Sequence, residues 1–110
     1  MKKAETEIYE GSGNVFADLG LPNPEERLLK ASIAFEIKQI IKGKKWTQIE
    51  AAERAGLDQA KISYLLRGRL RGFSVERLLR ILNRLGRKVE VRISAREYKP
   101  EKAHITVAVE

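Results

Sequence analysis

Basic side chains that could bind phosphate groups are concentrated in one part of the 110-residue sequence. Residues 61–92 contain ten lysines and arginines but only two acidic residues, a local charge of +8, whereas the whole chain carries +7. Guanidinium and ammonium groups donate hydrogen bonds to phosphate oxygens, and such a field attracts a polyanion. The charge therefore favours a nucleic acid as the partner, with an anionic membrane as a weaker alternative. Composition alone leaves open that these side chains only solvate helix faces.

The residues that catalysis or metal binding would need are missing from the sequence. There is no cysteine, and His104 is the only histidine, which excludes a disulfide framework, a thiolate metal site and a catalytic histidine pair. With no recognisable pair of carboxylates in a pocket, we expect no catalytic residue, cofactor or metal, and no enzyme activity. No apolar run reaches the ~18–20 residues of a membrane span. Acidic residues follow Met1-Lys2-Lys3 where a signal peptide would turn apolar, so we expect a cytoplasmic protein.

Apolar spacing and capping residues predict the helices that position the basic side chains. The first helix begins at Asn23, a good N-cap residue, with Pro24 at its first helical position. Its apolar residues recur at helical spacing as one stripe, formed by Leu29, Ile33, Ile37 and Ile40 or Ile41. Gly43 is predicted to end it.

Two short helices are predicted next, separated by a tight turn. Thr47 and Glu50 have the spacing of a capping box, which predicts a helix over residues 48–55 that a glycine ends. Asp58 is the predicted N-cap of a second helix over residues 59–66. Two short helices joined by a turn that contains glycine form a helix-turn-helix.

The periodicity then changes from helical to strand-like. A fourth helix is predicted to begin after Ser74 and to end at Gly86. Beyond it, apolar and polar residues alternate over 89–94 and again over 105–110, with a turn around Pro100. We therefore expect a β-hairpin. A lone hairpin is marginally stable in water, so it should pack on the helices, pair with another copy or receive a partner strand.

These elements predict three segments and a mainly α fold. Residues 1–22 are expected to be a flexible, irregular leader, in which Gly11-Ser12-Gly13 forms a turn and not a phosphate-binding loop. Residues 23–86 are expected to form a four-helix helix-turn-helix domain. Residues 87–110 are expected to form the C-terminal β-hairpin, a candidate dimerisation element.

The helix-turn-helix resembles a known family. The positions that carry the resemblance are Thr47-Gln48, Ala52, Gly56, Ile62-Ser63 and Gly68. Their spacing, over about residues 28–85, is similar to that of the Cro/C1-type (Xre) helix-turn-helix family. Ala52 is small where the next helix must cross, and Gly56 permits a backbone turn that a side chain would crowd.

The flanking segments resemble a narrower group within this family. They are Ser12-Gly13-Asn14-Val15-Phe16-Ala17-Asp18-Leu19-Gly20-Leu21, Gly68-Arg69, Phe73-Ser74, Arg77-Leu78-Leu79 and Leu85-Gly86. They look like HigA-type antitoxins, which bacteria commonly encode beside a RelE/HigB-like toxin. The resemblance implies a dimeric repressor of its own operon that also neutralises the toxin. Some members are regulators without a toxin, so an Xre-type regulator with no toxin partner, phage-derived or not, is the alternative.

The family match also implies which residues contact DNA. In this family the helix at 59–66 enters the major groove, with its N-terminal residues facing the base edges. The implied base-reading residues are Gln59, Ala60, Lys61, Ser63 and Tyr64. For Tyr64 a base contact, a backbone contact and a half-buried packing role all stay open. The candidate phosphate-binding residues are Lys45, Thr47, Gln48, Arg67, Arg69 and Arg71.

One such domain makes few contacts, so we expect a homodimer that binds a palindromic operator in double-stranded DNA. The C-terminal hairpin and the fourth helix are competing dimer interfaces. A protein-interaction module that has lost DNA binding is disfavoured by the +8 stretch. RNA binding lacks an evident aromatic stacking platform. Arg77, Arg80 and Arg84 are expected on a solvated helix face.

Overall fold

The computed structural model describes residues 14–110, which fall into two compact units. One unit comprises residues 30–91, and the other comprises residues 14–29 with residues 92–110. The helices in chain order are α1 (Val15–Asp18), α2 (Pro24–Lys44), α3 (Gln48–Ala55), α4 (Gln59–Leu66) and α5 (Val75–Arg84). The prediction of a mainly α fold with four principal helices is confirmed.

Helix α2 begins at Pro24 as predicted, but the conformation of Asn23 and the end of the helix differ from the prediction. Asn23 has a φ of +50°, in the left-handed region, and not the extended conformation typical of an N-cap. The helix continues through Gly43, because glycine costs a helix only ~1 kcal/mol and does not by itself end it. Lys45 reverses the chain instead, with a φ of +59°. The Trp46 N–H then donates to the Ile41 carbonyl at 3.2 Å.

The predicted caps of the three shorter helices are confirmed. Thr47 Oγ1 accepts the Glu50 N–H at 3.1 Å, and Glu50 Oε1 accepts the Thr47 N–H at 2.9 Å, which completes the capping box. Asp58 Oδ1 accepts the Lys61 N–H at 2.8 Å. Ser74 Oγ accepts a backbone N–H of α5 at 3.0 Å. Since an N-cap contributes ~1 kcal/mol, these residues fix where the short helices begin.

The apolar stripe of α2 and the inward faces of the shorter helices form the core of the 30–91 unit. Its most completely buried large side chains are Ile33, Ile37, Ile62, Leu65 and Leu78. The buried face of α3 consists of three alanines, Ala51, Ala52 and Ala55. Small side chains let a neighbouring helix approach closely, so α4 can pack directly against α3. The exposed residues of α4 are thereby held in a fixed orientation.

The prediction of a C-terminal β-hairpin is wrong for the structure described here. Residues 87–110 contain no strand, and their regular element is a 3-10 turn at Pro100–Lys102. Val91 and Ile93 are 81% and 90% exposed, so their apolar side chains are not packed. Alternation shows only that a segment suits a pleated surface. A strand also needs a partner for its backbone hydrogen bonds, and an isolated hairpin is too weakly stable to supply one.

Part of the predicted irregular leader is helical. Asn14 Oδ1 accepts the Phe16 N–H at 2.9 Å and so caps the single turn of α1. Asn14 Nδ2 also donates to the Pro24 carbonyl at 2.9 Å. Residues 15–18 therefore differ from the irregular conformation expected for 1–22. The predicted turn at Gly11-Ser12-Gly13 lies outside the described residues.

His104, expected on a strand surface and not as a ligand, lies beside α2. Its Nδ1 is 3.0 Å from Glu25 Oε2 in the unit that joins residues 14–29 to 92–110. No group of three or more histidine, aspartate or glutamate residues within 14–110 is placed to hold a metal ion. Over the same residues, no helix has the length and apolarity needed to cross a membrane.

Candidate nucleic-acid interface

A three-residue turn joins α3 to α4 and sets the angle between them. Gly56 ends α3 in the left-handed conformation, with a φ of +73°. The Leu57 N–H donates to the Ala52 carbonyl at 2.9 Å, and Asp58 then caps α4. The turn therefore uses three local devices, namely a left-handed glycine, a backbone hydrogen bond and an N-cap. This confirms the predicted helix-turn-helix.

The turn also packs against a residue that sequence reasoning placed elsewhere. A Cβ atom on Gly56 would lie 2.6 Å from Arg84 Nε and 2.8 Å from Arg84 Cζ. The Arg84 guanidinium thus lies directly against the turn, at the negative end of the α3 dipole, where a positive charge is stabilising. Arg84 is exposed, as expected for a solvated helix face, and its guanidinium group also contacts the turn. No signal in the sequence could have revealed this contact, because it depends on how α5 packs against α3.

The exposed face of α4 carries the residues that the family match implies for base reading. Gln59, Ala60 and Lys61 are exposed, and Ser63 is half-buried. Tyr64 is 43% exposed. Ile62, at 0% exposure, faces the core between them and anchors the helix. The structure therefore brings the first-turn polar groups of α4 together on one accessible surface.

The candidate phosphate-binding residues are all exposed, and they fall into two groups along the chain. They are Lys45, Thr47, Gln48, Arg67, Arg69 and Arg71. The first three precede or begin α3, and the arginines follow α4. Gln48 is the first residue of α3, where unpaired backbone N–H groups and the helix dipole favour an anion. The Thr47 hydroxyl already accepts the capping hydrogen bond, which leaves its proton as the group available to a phosphate.

A surface cleft lies between the exposed face of α4, which carries the candidate base-reading residues, and the arginine-rich segment at 67–73 that follows the helix. The cleft has a volume of about 290 Å³ and is lined by Lys61, Tyr64, Arg69, Arg71, Gly72 and Phe73. Three of these six residues are cationic and none is acidic. Two of the predicted base-reading residues, Lys61 and Tyr64, thus line the same cationic cleft as two of the predicted phosphate-binding residues, Arg69 and Arg71.

Arginine side chains lie over three aromatic rings in this unit. The Arg54 guanidinium carbon is 4.7 Å from the centre of the Trp46 ring. The guanidinium carbon of Arg77, a residue expected on a solvated helix face, is 5.4 Å from the centre of the Phe73 ring. Such contacts are attractive by ~0.5–1 kcal/mol at exposed sites and restrict the arginine. Arg77 is therefore a partner of the segment that follows α4.

Comparison with known proteins identifies the family. The model of a helix-turn-helix domain family matches residues 15–94, which is more than half of the chain. A solved structure named as an XRE-family transcriptional regulator shares 38% sequence identity, with a TM-score of 0.72, over 81% of this chain and 100% of that chain. The chain belongs to the XRE family of helix-turn-helix transcriptional regulators. No curated protein sequence shows a significant match.

The matched region of this XRE-family chain contains every candidate DNA-contacting residue. Helices α1 to α5 also lie within residues 15–94, whereas the 3-10 turn lies beyond them. Both matches identify the family and its helix-turn-helix, and neither names an antitoxin. The narrower HigA-type resemblance therefore stays a hypothesis.

Proposed function

We propose that the chain is a sequence-specific repressor that inserts α4 into the major groove of double-stranded DNA. The observation that carries this proposal is the continuity between the exposed polar face of α4 and the cationic cleft beside it. In a duplex, each base edge in the groove is flanked by phosphates. An exposed polar helix face with a cationic cleft beside it complements that arrangement.

Four residues of α4 supply the base contacts in this proposal. The Gln59 amide can donate to and accept from adenine, and the Lys61 ammonium can donate to guanine O6 and N7. Ala60 can contact the methyl group of thymine, and the Ser63 hydroxyl can donate or accept. Since Ser63 is half-buried, its contact depends on close approach of the helix to the bases.

Two groups of residues supply the phosphate contacts. Arg67, Arg69 and Arg71 follow α4, and their guanidinium groups can bind phosphate oxygens bidentately. The second group, at the beginning of α3, consists of Lys45, Thr47 and Gln48. Phosphate contacts from both groups would fix the depth and register of α4 in the groove, while sequence preference comes from the base contacts.

Selection of a duplex from a randomised pool, followed by fluorescence anisotropy, tests the proposal. We expect Gln59→Ala and Lys61→Ala each to reduce the preference for the selected duplex over a scrambled one by about 1–3 kcal/mol. Arg80→Ala is the matched control, because Arg80 is exposed and pairs with Glu76 at 3.2 Å on α5. An unchanged preference in the Gln59→Ala/Lys61→Ala double variant would exclude α4 as the reading helix.

A homodimer on a palindromic operator is part of the proposal, since two half-sites one helical turn apart need two recognition helices. The C-terminal segment, residues 87–110, is our candidate interface. Its support is the exposure of Val91, Ile93 and Ile105, which a second copy could cover. Helix α5 is the competing interface. Deletion of residues 91–110, which removes all three side chains, should convert the dimer to a monomer in light scattering, and an unchanged dimer would favour α5.

We also propose that the chain is the antitoxin of a type II toxin-antitoxin pair, with a RelE/HigB-like toxin as its protein partner. The support is the resemblance of the flanking segments to HigA-type antitoxins. Exposed apolar side chains around α1, at Val15, Leu19 and Leu21, add a surface that a protein could cover. Such a pair would act in the cytoplasm, where the operon and the toxin's targets are.

Co-expression with the product of the adjacent gene tests the antitoxin role. We expect a stable complex and relief of growth inhibition by that product. A neighbouring gene that encodes no toxic protein would favour the alternative, an XRE-type regulator without a toxin partner. The two roles share the same DNA-binding surface, so the duplex experiments above apply to both.

A further inference from the structure

Two of the arginines that follow α4 lie over the aromatic ring of Tyr64. The guanidinium carbon of Arg67 is 5.8 Å from the centre of the Tyr64 ring, and that of Arg69 is 6.0 Å from it. Both distances are within the ~6 Å over which a cation is attracted to an aromatic ring. One half-exposed ring therefore contacts both arginines.

The backbone of Tyr64 organises the same segment. The Arg69 N–H donates to the Tyr64 carbonyl at 2.8 Å, and the Arg67 N–H donates to it at 3.2 Å. Between them, Gly68 turns the chain with a φ of +78°. The backbone path after α4 is thus fixed by hydrogen bonds that any residue at position 64 could accept. What the tyrosine adds is the ring.

We propose that Tyr64 is a positioning residue, which holds Arg67 and Arg69 at the edge of the reading surface where they meet DNA phosphates. This inference rests on the proposed DNA-binding function and gives Tyr64 a role that differs from the base contact, the backbone contact and the packing role considered from the sequence. A free arginine side chain samples many rotamers, and a ring that attracts the guanidinium reduces their number before DNA arrives. The ring therefore acts through the two arginines and leaves base reading to the first turn of α4.

The other described tyrosine offers a matched control. Tyr98 is 50% exposed, against 43% for Tyr64, and the Arg96 guanidinium carbon lies 5.0 Å from its ring. Tyr98→Leu removes the same kind of contact at similar exposure, but outside the helix-turn-helix. A difference between Tyr64→Leu and Tyr98→Leu thus reports the position of the ring and not the loss of a tyrosine.

The experiment measures the dissociation constant for a selected duplex and a scrambled one over a range of salt concentrations. The slope of log affinity against log salt counts phosphate contacts at about 0.9 per contact. Tyr64→Leu should lower the slope by about 1–2, with an unchanged ratio of affinities for the two duplexes. Tyr64→Phe, which keeps the ring, should match the wild-type protein, as should Tyr98→Leu. In the Arg67→Ala/Arg69→Ala background, Tyr64→Leu should have no further effect.

Each other result overturns the inference. If Tyr64→Leu reduced the ratio of affinities for the two duplexes and left the salt slope unchanged, Tyr64 would be a base-reading residue. If neither the ratio nor the slope changed, Tyr64 would have no role in DNA binding. A wild-type protein that binds no duplex would refute the proposed function itself, which separates the two failures. If Tyr64→Leu does not fold, nuclear magnetic resonance of the wild-type protein tests the inference instead. We then expect ring-current shifts of the Arg67 and Arg69 side-chain resonances. Their absence would show that the ring does not hold the arginines.

Discussion

Replacing Gly56 by alanine tests the physical account of the helix-turn-helix turn. Two costs coincide at this residue. Its φ of +73° is one that residues with a Cβ rarely adopt, and a Cβ there would lie 2.6 Å from Arg84 Nε. Gly68 separates these costs, because its φ is +78° and nothing lies within 4 Å of where its Cβ would be. Gly68→Ala therefore has the backbone cost alone.

The two costs have different magnitudes. The left-handed conformation disfavours an L-residue by about 1–2 kcal/mol, which applies to both glycines. At Gly56 the Arg84 side chain must also withdraw by about 1 Å to restore an ordinary contact of ~3.5 Å. That movement weakens a favourable charge at the α3 C-terminus, worth about 0.3–1 kcal/mol. We expect Gly68→Ala to lower the free energy of unfolding by about 1 kcal/mol and Gly56→Ala by about 2 kcal/mol.

Urea unfolding followed by far-ultraviolet circular dichroism measures these differences. Arg84→Ala removes the side chain that meets the new Cβ, so the excess cost of Gly56→Ala should disappear in that background. The coupling free energy between the two substitutions should be about 0.5–1 kcal/mol. The account is refuted if Gly56→Ala costs no more than Gly68→Ala, or if its excess cost persists without Arg84.

Three further predictions concern the core, a cap and the phosphate contacts. Ile62→Ala should lower the free energy of unfolding by about 2–5 kcal/mol, because the side chain is fully buried, whereas Ile49→Ala, at a position 66% exposed, should have little effect in the same urea titration. Thr47→Ala should cost about 1 kcal/mol, because the α3 cap is lost, and restoration by Thr47→Ser would confirm that the hydroxyl is responsible. Arg69→Ala should reduce the salt dependence of binding by about one phosphate contact for all duplexes alike, and an equal reduction in Arg80→Ala would contradict a specific role.

The short helices were the most predictable part of the fold, because their ends depend on local chemistry. Thr47, Asp58 and Ser74 cap the helices that the sequence indicated, and each cap is satisfied by atoms within three residues of it. Gly43 shows the limit of the same reasoning. A glycine permits a chain reversal but does not impose one, and the left-handed residue is Lys45 two positions later.

The hairpin prediction failed for a different reason. Alternating apolar residues such as Val91 and Ile93 show that a segment can fit a pleated sheet. A strand forms only where a partner backbone is present to share its hydrogen bonds. Both side chains are almost fully exposed in the structure, and no strand forms over the described C-terminal residues. An alternating pattern thus shows that a segment is compatible with a β-strand, but not that a strand forms.

Some features of the candidate DNA surface could likewise be predicted from short segments of sequence, and others could not. The sequence by itself determined the charge, the two helices and their caps, because composition and local hydrogen bonding are properties of short segments. Through the resemblance, it also indicated the family and the residues of α4 that face outward. Only the tertiary structure decided that Arg84 packs against Gly56, that Arg67 and Arg69 share the ring of Tyr64, and that Lys61 lines one cleft with Arg69 and Arg71. Those contacts depend on the packing of one helix against another and on the path of the chain after α4, which are set by the core as a whole and not by any short run of residues.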